Sequence, residues 1–327
     1  MKVLVTGGAG YIGGVVVTQL VAAGHHVTVL DDLSTGHADT VPSAATLHRL
    51  DVEDAAKVVT PNAGFDAVLH FAAKIAAGES MARPDTYWWT NVVGSLALLR
   101  AMRDAQVPRL VFSSSAAVYG DPLESPITER AAPAPTSPYG WTKLAVDAAI
   151  SQQCAAYGLG ATSLRYFNVA GATFPARGPA LGERHDPETH LIPIALDVVT
   201  GRRRSLKIFG DDYPTRDGTC VRDYIHVEDL AAAHLLALEH TAAGEHAVYN
   251  LGNGNGYSNR EVVEVVRDVT GHPIPVETAP RRPGDPAELV ASSARAATAL
   301  GWVPRKPDLH AIVQDAWDFV HDGQGAH

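Results

Sequence analysis

The chain has 327 residues, of which 46% are hydrophobic and 19% are charged; this composition supports a sizeable core, allows two domains and excludes wholesale disorder. Its formal net charge is −10, without a visible basic stripe, which argues against a nucleic-acid partner. The two cysteines lack the spacing of a metal site, no apolar run reaches the ~18 residues of a membrane span, and no signal pattern precedes the first strand, so we expect a cytoplasmic protein with no metal and no membrane partner.

Residues 2–14 read KVLVTGGAGYIGG. The apolar run Lys2–Thr6 predicts a buried strand, and Tyr11–Val21 predicts a helix packed on the sheet. The glycines between them permit a sharp turn and the close approach of a phosphate to the free N–H groups at the helix N-terminus. We predict that this turn binds a dinucleotide; a tight turn without a ligand is the alternative. The candidate contacts are Gly7, Gly10, Tyr11, Ile12 and Gly13.

The remainder of the first half alternates strands with helices, which predicts an α/β fold with a doubly wound parallel sheet. The further predicted strands are His26–Leu30, Thr46–Leu50, Ala67–Phe71, Arg109–Ser114 and Ala161–Tyr166, and the long helices are Arg83–Ala105 and Ser137–Tyr157. Asp31 and Asp32 end the second strand, where a carboxylate accepts ribose hydroxyls and repels a 2′-phosphate, so NAD is favoured over NADP. Asp51 and Val52 end the third strand and are candidates for the adenine edge.

From Asn168 onward the pattern changes. The predicted elements are a loop over Phe174–Asp186, helices over His190–Thr200, Val227–Glu239, Asn259–Thr270 and Leu309–Val320, strands over Ser205–Phe209, Ala247–Leu251 and Ile274–Thr278, a turn over 281–285 and a frayed tail over 321–327. We predict an NAD-binding domain over residues 1–167, with returning segments near 222–252. A smaller, discontinuous substrate domain then covers 168–327.

One group of side chains suits redox chemistry on a hydroxyl. Tyr139 and Lys143 are one helical turn apart and therefore share a face. A tyrosine ionises near pH 10, but a neighbouring ammonium and a positive nicotinamide ring both favour the phenolate. Ser115 follows the fifth strand, so it points out at the carboxyl edge of the sheet, where ligands bind. We expect these residues to take a proton from a sugar hydroxyl while its carbon gives hydride to the cofactor.

The chain resembles the extended short-chain dehydrogenase/reductase family nearly end to end, and within it the UDP-sugar 4-epimerases. The segments that carry the resemblance are TGGAGYIGG, HFAA, GES, SSSAAVYG, SPYGWTK, LRYFNVAGA, IFGDDYPTRDGTCVRDYIHVEDLA, YNLG and RRPGD. The resemblance implies a Rossmann domain, tightly held NAD and an isomerase that interconverts UDP-galactose and UDP-glucose through a 4-keto sugar. It also implies a homodimer paired through the helices at Arg83–Ala105 and Ser137–Tyr157.

The resemblance gives each site residue an expected role. Tyr139 would be the base, Lys143 its electrostatic partner and ribose anchor, and Ser115 the hydroxyl partner. The remaining cofactor contacts would be Phe71, Ala72, Ala73, Lys74, Asn91, Ser113 and Tyr166. The substrate contacts would be Ser115, Tyr139, Asn168, His190, Leu191, Phe209, Tyr213, Arg222, Arg282, Asp285 and Leu289.

The chain departs from the family pattern at two positions. Many family members place the lysine one residue after Lys74, where this chain has Ile75, and this departure concerns the cofactor contact of Lys74. Many members also have a tyrosine where this chain has Leu289. The smaller leucine leaves room for an N-acetyl group, so a UDP-N-acetylglucosamine or dual-specificity epimerase stays open. Nucleotide-sugar 4,6-dehydratases carry an Asp-Glu pair where Ala116-Ala117 stand, and alanine transfers no proton. UDP-glucuronate epimerases and decarboxylases need a positively charged pocket for the C6 carboxylate, and the sequence does not locate one. A non-catalytic NAD sensor would not need Ser115, Tyr139 and Lys143 to be intact.

Overall fold

The computed structural model describes residues 1–282 and 284–322. Pro283, in the predicted 281–285 turn, and residues 323–327 of the predicted frayed tail lie outside the described residues. The strands are β1 (Lys2–Thr6), β2 (His26–Asp31), β3 (Thr46–Arg49), β4 (Ala67–His70), β5 (Arg109–Ser115), β6 (Gly160–Tyr166), β7 (Asn168–Ala170), β8 (Leu206–Phe209), β9 (Val221–His226), β10 (His246–Leu251), β11 (Gly256–Ser258), β12 (Val276–Ala279) and β13 (Glu288–Leu289). The α-helices are α1 (Tyr11–Ala22), α2 (Ala77–Ala82), α3 (Pro84–Tyr87), α4 (Gly94–Asp104), α5 (Pro138–Tyr157), α6 (Leu191–Val199), α7 (Val227–His240), α8 (Asn259–Thr270), α9 (Ala294–Leu300) and α10 (Leu309–His321).

A seven-stranded parallel sheet organises the molecule, in the order β10-β6-β5-β4-β1-β2-β3. Its central strands are runs of valine and leucine because both faces are covered. One core packs α1 and α7 against one face, and a second packs α4 and α5 against the other. The predicted doubly wound α/β fold is confirmed, and the carboxyl ends of all seven strands meet at one edge, where ligands bind in such sheets.

Two smaller sheets and a third core lie beyond the main sheet. Strand β9 pairs with β7, β11 and β13, and β8 pairs with β12. Helices α6, α8 and α10 bury their apolar faces together in this part of the chain. Strand β10 pairs with β6 in the main sheet, with His246 opposite Ala161. The exact domain boundaries stay a prediction.

The structure differs from several predicted elements. The predicted Arg83–Ala105 helix begins at Pro84 and contains a π-helical turn at Trp88–Val93, and such turns are frequent at functional sites. The strand predicted at Ile274–Thr278 runs over Val276–Ala279; it starts after Pro275, which has no N–H to donate to the neighbouring strand. Short elements such as β7 and α9 escaped prediction, because a few residues cannot establish a period. Among the described residues, no helix is both long enough and apolar enough to cross a membrane.

Candidate active site

The turn between β1 and α1 has the geometry of an anion site. Gly7 has φ +70°, and a Cβ there would lie 2.6 Å from the backbone nitrogen of Ala72. A Cβ at Gly13 would collide with the Gly7 carbonyl oxygen, whereas one at Gly10 would meet only that oxygen, at 3.4 Å. Gly10 is also the N-cap of α1, and no side chain caps this helix. The N-terminus therefore offers free N–H groups beside open space, which suits a phosphate.

The aspartates after β2 support this turn. The buried Asp31 carboxylate accepts hydrogen bonds from Ala9 N (3.0 Å) and Leu33 N (2.9 Å). Burial raises the pKa of Asp31, and these two N–H donors offset part of the rise. Asp32 is exposed and accepts from Ser34 N (2.9 Å). Asp31 thus ties the glycine turn to β2, while Asp32 faces outward beside it.

Two predicted adenine contacts already have structural partners. Asp51 caps a short 3₁₀ helix by accepting from Glu53 N at 2.8 Å, and Val52 is buried in the core beside Gly94.

Two further predicted cofactor contacts lie at the start of α1. Ile12 is partly buried against the first core. The Tyr11 hydroxyl donates to Gly171 O at 2.6 Å.

The segment after β4 lies against the glycine turn. Phe71 N and Ala72 N both donate to Thr6 O, at 2.9 and 3.2 Å. Ala73 and Lys74 follow and are partly buried. Asn91, in the π-helical turn, accepts from Lys74 N (2.7 Å) and donates to Lys74 O (3.0 Å). The Asn91 amide therefore fixes the backbone of this segment, a role that sequence analysis did not foresee.

Ser115, Tyr139 and Lys143 are brought together at the edge of the sheet. Ser115 ends β5, where its hydroxyl accepts from Ala117 N at 3.1 Å and hydrogen-bonds to the Tyr139 phenol. Lys143 is 3% exposed; its Nζ donates to Ser113 O at 2.7 Å and lies 5.9 Å from the centre of the Tyr139 ring. Ser113 and Tyr166, both predicted cofactor contacts, share a hydrogen bond between their hydroxyl groups.

Burial dominates the pKa values in this group. It raises the pKa of Tyr139, and the hydrogen bond with Ser115 offsets only part of the rise. The expectation that the Lys143 ammonium and an oxidised nicotinamide favour the phenolate stays a prediction. Burial lowers the pKa of Lys143 to about 8, and the carboxylate of Asp147 offsets part of this decrease. Desolvation outweighs the local charges because the site lies in a low dielectric.

A buried ion pair lies next to Lys143 on α5 and was not predicted. The Asp147 carboxylate accepts from Arg165 Nη2 (2.9 Å) and from Ser114 Oγ (3.2 Å), and both charged side chains are nearly inaccessible. Asp147 follows Lys143 by one turn of α5, so it lies on the face that carries Tyr139 and Lys143. That four-residue spacing was the available signal.

The predicted substrate residues fall into contacting pairs. Arg222 donates to Asp285 Oδ1 (2.5 Å) and Pro286 O (2.8 Å), rather than pairing with its neighbour Asp223. The Arg282 guanidinium lies 3.9 Å from the centre of the Phe209 ring. Three other members of this set have different surroundings. Tyr213 is buried beneath Arg281, Asn168 begins β7, and Leu289 pairs with Arg222 in the β9–β13 ladder and packs near Ala116.

His190 and Leu191 begin α6. His190 Nδ1 lies 2.7 Å from Glu183 Oε1 and 2.9 Å from Glu188 Oε1. Burial alone lowers the pKa of His190, but the two carboxylates raise it well above its usual value. The imidazole thus faces carboxylates that sequence analysis did not connect with it.

Comparison with known proteins now identifies the family. Residues 3–252 match the model of the NAD dependent epimerase/dehydratase family. The chain belongs to this family. It is 55% identical over 320 residues to the UDP-glucose 4-epimerase of Corynebacterium glutamicum, covering 98% of this chain and 96% of that protein. It is 57% identical over 321 residues to the enzyme of the same name from Streptomyces lividans, covering 97% and 95%.

A crystal structure of UDP-glucose 4-epimerase from Bifidobacterium longum, in complex with NAD+ and UDP, superposes with a TM-score of 0.93 and 35% identity over all of both chains. As a member of this NAD-dependent family, the protein is an enzyme whose cofactor is NAD, which agrees with the open glycine turn at the N-terminus of α1.

Proposed function

We propose that this enzyme interconverts UDP-galactose and UDP-glucose. The observation that carries the proposal is the group Ser115, Tyr139 and Lys143 at the carboxyl edge of the sheet. Its relatives in C. glutamicum and S. lividans carry the name of this activity. Bound NAD supplies the acceptor for the C4 hydride and, when oxidised, a positive charge that favours the Tyr139 phenolate.

In this proposal Tyr139 takes the proton of the C4 hydroxyl and returns it after the 4-keto sugar has turned over in the site. Ser115, which hydrogen-bonds to the Tyr139 phenol, would also hydrogen-bond to the sugar hydroxyl and orient it toward that phenol. Lys143 is held by Ser113 O and by the Phe112 ring, 4.9 Å from its Nζ. Its ammonium is therefore fixed where it opposes the effect of burial on Tyr139, and it is positioned to hold the nicotinamide ribose.

We assign the glycine turn to the pyrophosphate of NAD and Asp31 and Asp32 to the adenosine ribose. The uncapped α1 N-terminus and the open side of Gly10 support the first assignment. Each oxygen of Asp31 accepts one backbone hydrogen bond, so each retains a lone pair for a ribose hydroxyl. The segment Phe71–Lys74 would form the opposite wall, with its backbone fixed by Asn91.

We assign the UDP diphosphate to Arg222 and Arg282. Arg222 is held by Asp285 and Pro286, and its fork retains N–H donors for a phosphate. Arg282 is exposed and stacked on Phe209, which leaves the edges of its guanidinium accessible. Asn168, His190, Leu191 and Tyr213 complete the proposed contacts. Firm binding of UDP, with few contacts to the hexose, lets the keto sugar rotate between the two hydride transfers.

One observation favours a broader substrate range. Leu289, at the proposed sugar wall, packs against a cluster that includes Ala116, Phe167 and Ala291. Its side chain is smaller than that of a tyrosine and would occupy less of the sugar pocket. UDP-N-acetylglucosamine is therefore the second candidate substrate. A 4,6-dehydratase is disfavoured, because Ala116 and Ala117 directly after Ser115 carry no acid or base.

We also propose a cytoplasmic homodimer. Large apolar side chains are exposed on the π-helical turn and on α5, including Trp88 (42%), Trp89 (59%) and Trp141 (49%). A second copy related by a two-fold axis would cover them in a four-helix arrangement. Light scattering at micromolar concentration should give the mass of two chains, and Trp89→Glu should shift it toward one; a wild-type mass of one chain would contradict the dimer. The two cysteines are free, which suits a reducing compartment.

The activity is tested by incubating the purified enzyme with UDP-galactose and separating the products. We expect UDP-glucose to form without added reductant, because the reaction has no net redox change. Absence of turnover with UDP-galactose and UDP-N-acetylglucosamine, in protein that still binds NAD, would refute the proposal and favour an NAD sensor.

A further inference from the structure

A short loop before α6 gathers two histidines and two glutamates around one point. His185 Nδ1 and His190 Nδ1 lie 2.9 and 2.7 Å from Glu183 Oε1. The same two nitrogens lie 3.7 and 2.9 Å from the oxygens of Glu188. One donor atom from each of the four residues lies within 4.8 Å of all the others. Both imidazoles therefore present the same ring nitrogen to the same two carboxylates.

These separations are close to those of a metal centre. Four ligands placed tetrahedrally at about 2.0–2.1 Å from Zn²⁺ lie about 3.3 Å from one another. The four contacts between the imidazoles and the carboxylates span 2.7–3.7 Å. The imidazole–carboxylate separations therefore bracket the spacing expected around one ion, and all four donor atoms lie within 4.8 Å of one another. Two imidazoles and two carboxylates form a nitrogen and oxygen ligand set that suits a divalent transition metal.

The burial of the two carboxylates also calls for a cation. The side chains of Glu183 and Glu188 are 7% and 8% exposed. Buried carboxylates are costly unless they are paired or coordinate a metal. Arg203, the nearby arginine, pairs with Asp197 and donates to the Glu188 carbonyl rather than to its carboxylate. Glu188 Oε1 also accepts hydrogen bonds from Thr189 N and His190 N. Among the described residues, the two histidines are the only ion-pair partners of these carboxylates, so no arginine or lysine neutralises them.

A cavity of about 180 Å³ borders the cluster and is lined by Glu183, His185 and Glu188. It provides a route by which an ion can reach the cluster. Arg184, between the first two members, ion-pairs with Asp39 at 2.7 Å, so the loop is also tied to the segment that follows β2.

We propose that Glu183, His185, Glu188 and His190 form a divalent transition-metal site, with Zn²⁺ as its expected ion, that fixes the loop before α6. The site is closed by four protein ligands, as in structural zinc centres. This inference replaces the expectation of no metal, which rested on the cysteines. The spacing Glu-x-His-x-x-Glu-x-His was the signal in the sequence. The number of metal ions bound per chain is measured without substrate. The metal-site proposal and the epimerase proposal can therefore be refuted independently.

The test uses tag-free, full-length protein stripped with a chelator and titrated with zinc chloride in a calorimeter. We expect one Zn²⁺ per chain and a zinc-dependent rise in thermal stability. His185→Gln and Glu188→Gln should each weaken binding more than about tenfold, since even the loss of an outer partner of a ligand has that effect. His310→Gln is the matched control, because His310 is an exposed histidine 3.7 Å from Asp308; it should bind zinc like the wild type.

Cobalt provides a readout that needs no variant. Co²⁺ in the stripped wild-type protein should show the intense visible absorption of tetrahedral coordination and should be displaced by Zn²⁺. Circular dichroism and the amount of bound NAD show whether each variant is folded. If a variant is unfolded, the zinc titration and the cobalt spectrum of the wild-type protein decide whether the site exists. The proposal would be overturned if the wild type bound much less than one Zn²⁺ per chain or bound it with a millimolar Kd. It would also be overturned if folded His185→Gln and His310→Gln bound Zn²⁺ with equal affinity.

Discussion

Replacing Lys143 with methionine should abolish activity without lowering the stability of the folded protein at pH 7. Lys143 is buried, and burial lowers its pKa from 10.5 to about 8. Because the folded protein releases this proton before the unfolded chain does, the ammonium opposes folding below pH 8. Wild-type stability should therefore rise with pH between about 8 and 10.5 through this group.

The size of the effect follows from the pKa difference. Between pH 7 and pH 9.5, a site with a pKa of about 8 in the folded state and 10.5 in the unfolded state adds about 2 kcal/mol to the free energy of unfolding. Lys143→Met fills similar volume and has no proton to release, so it should lack this gain. At pH 7 the variant should be at least as stable as the wild type, but without turnover.

The assay is urea unfolding followed by tryptophan fluorescence at pH 7 and pH 9.5, for both proteins freed of NAD. Other groups titrate alike in the two proteins, so the difference between their pH responses isolates Lys143. Equal responses, or a variant destabilised by several kcal/mol at both pH values, would refute the argument that desolvation of this ammonium opposes folding.

Three further substitutions test other parts of the site. Gly10→Ala should fold normally, because its Cβ meets only the Gly7 carbonyl. It should weaken NAD binding, measured by calorimetry, about tenfold or more. Unchanged binding would contradict the assignment of the pyrophosphate to this turn. Leu289→Tyr should lower kcat/KM for UDP-N-acetylglucosamine about tenfold relative to UDP-glucose, and an unchanged ratio would exclude this wall as the selector. Asp147→Asn should lower the free energy of unfolding by about 3 kcal/mol, because it leaves buried Arg165 without its counter-charge; a change below about 1 kcal/mol in urea unfolding would contradict this.

The fold was predictable because its signals are local and repeated. The valine-rich run at β1, the glycines after it and the acidic end of β2 each indicate the same strand–turn–helix unit. The close placement of the three proposed catalytic residues was predictable for the same reason, since Tyr139 and Lys143 share a helix face and Ser115 ends a strand.

What escaped prediction depends on distant contacts or on depth of burial. Arg222 pairs with Asp285, 63 residues away, rather than with its neighbour in sequence. Asn91 fixes the backbone of Lys74 through a π-helical turn that has no sequence period. The raised pKa of Tyr139 reflects how much water the fold removes, and a motif does not encode that quantity.

The central claim is that Tyr139 carries the proton of the sugar hydroxyl, and Tyr139→Phe tests it most directly. The variant keeps the ring and removes only the hydroxyl, so NAD content should be retained. Turnover of UDP-galactose should fall at least about 100-fold, as expected for the loss of a general acid–base. Wild-type turnover by the NAD-loaded variant would contradict the account.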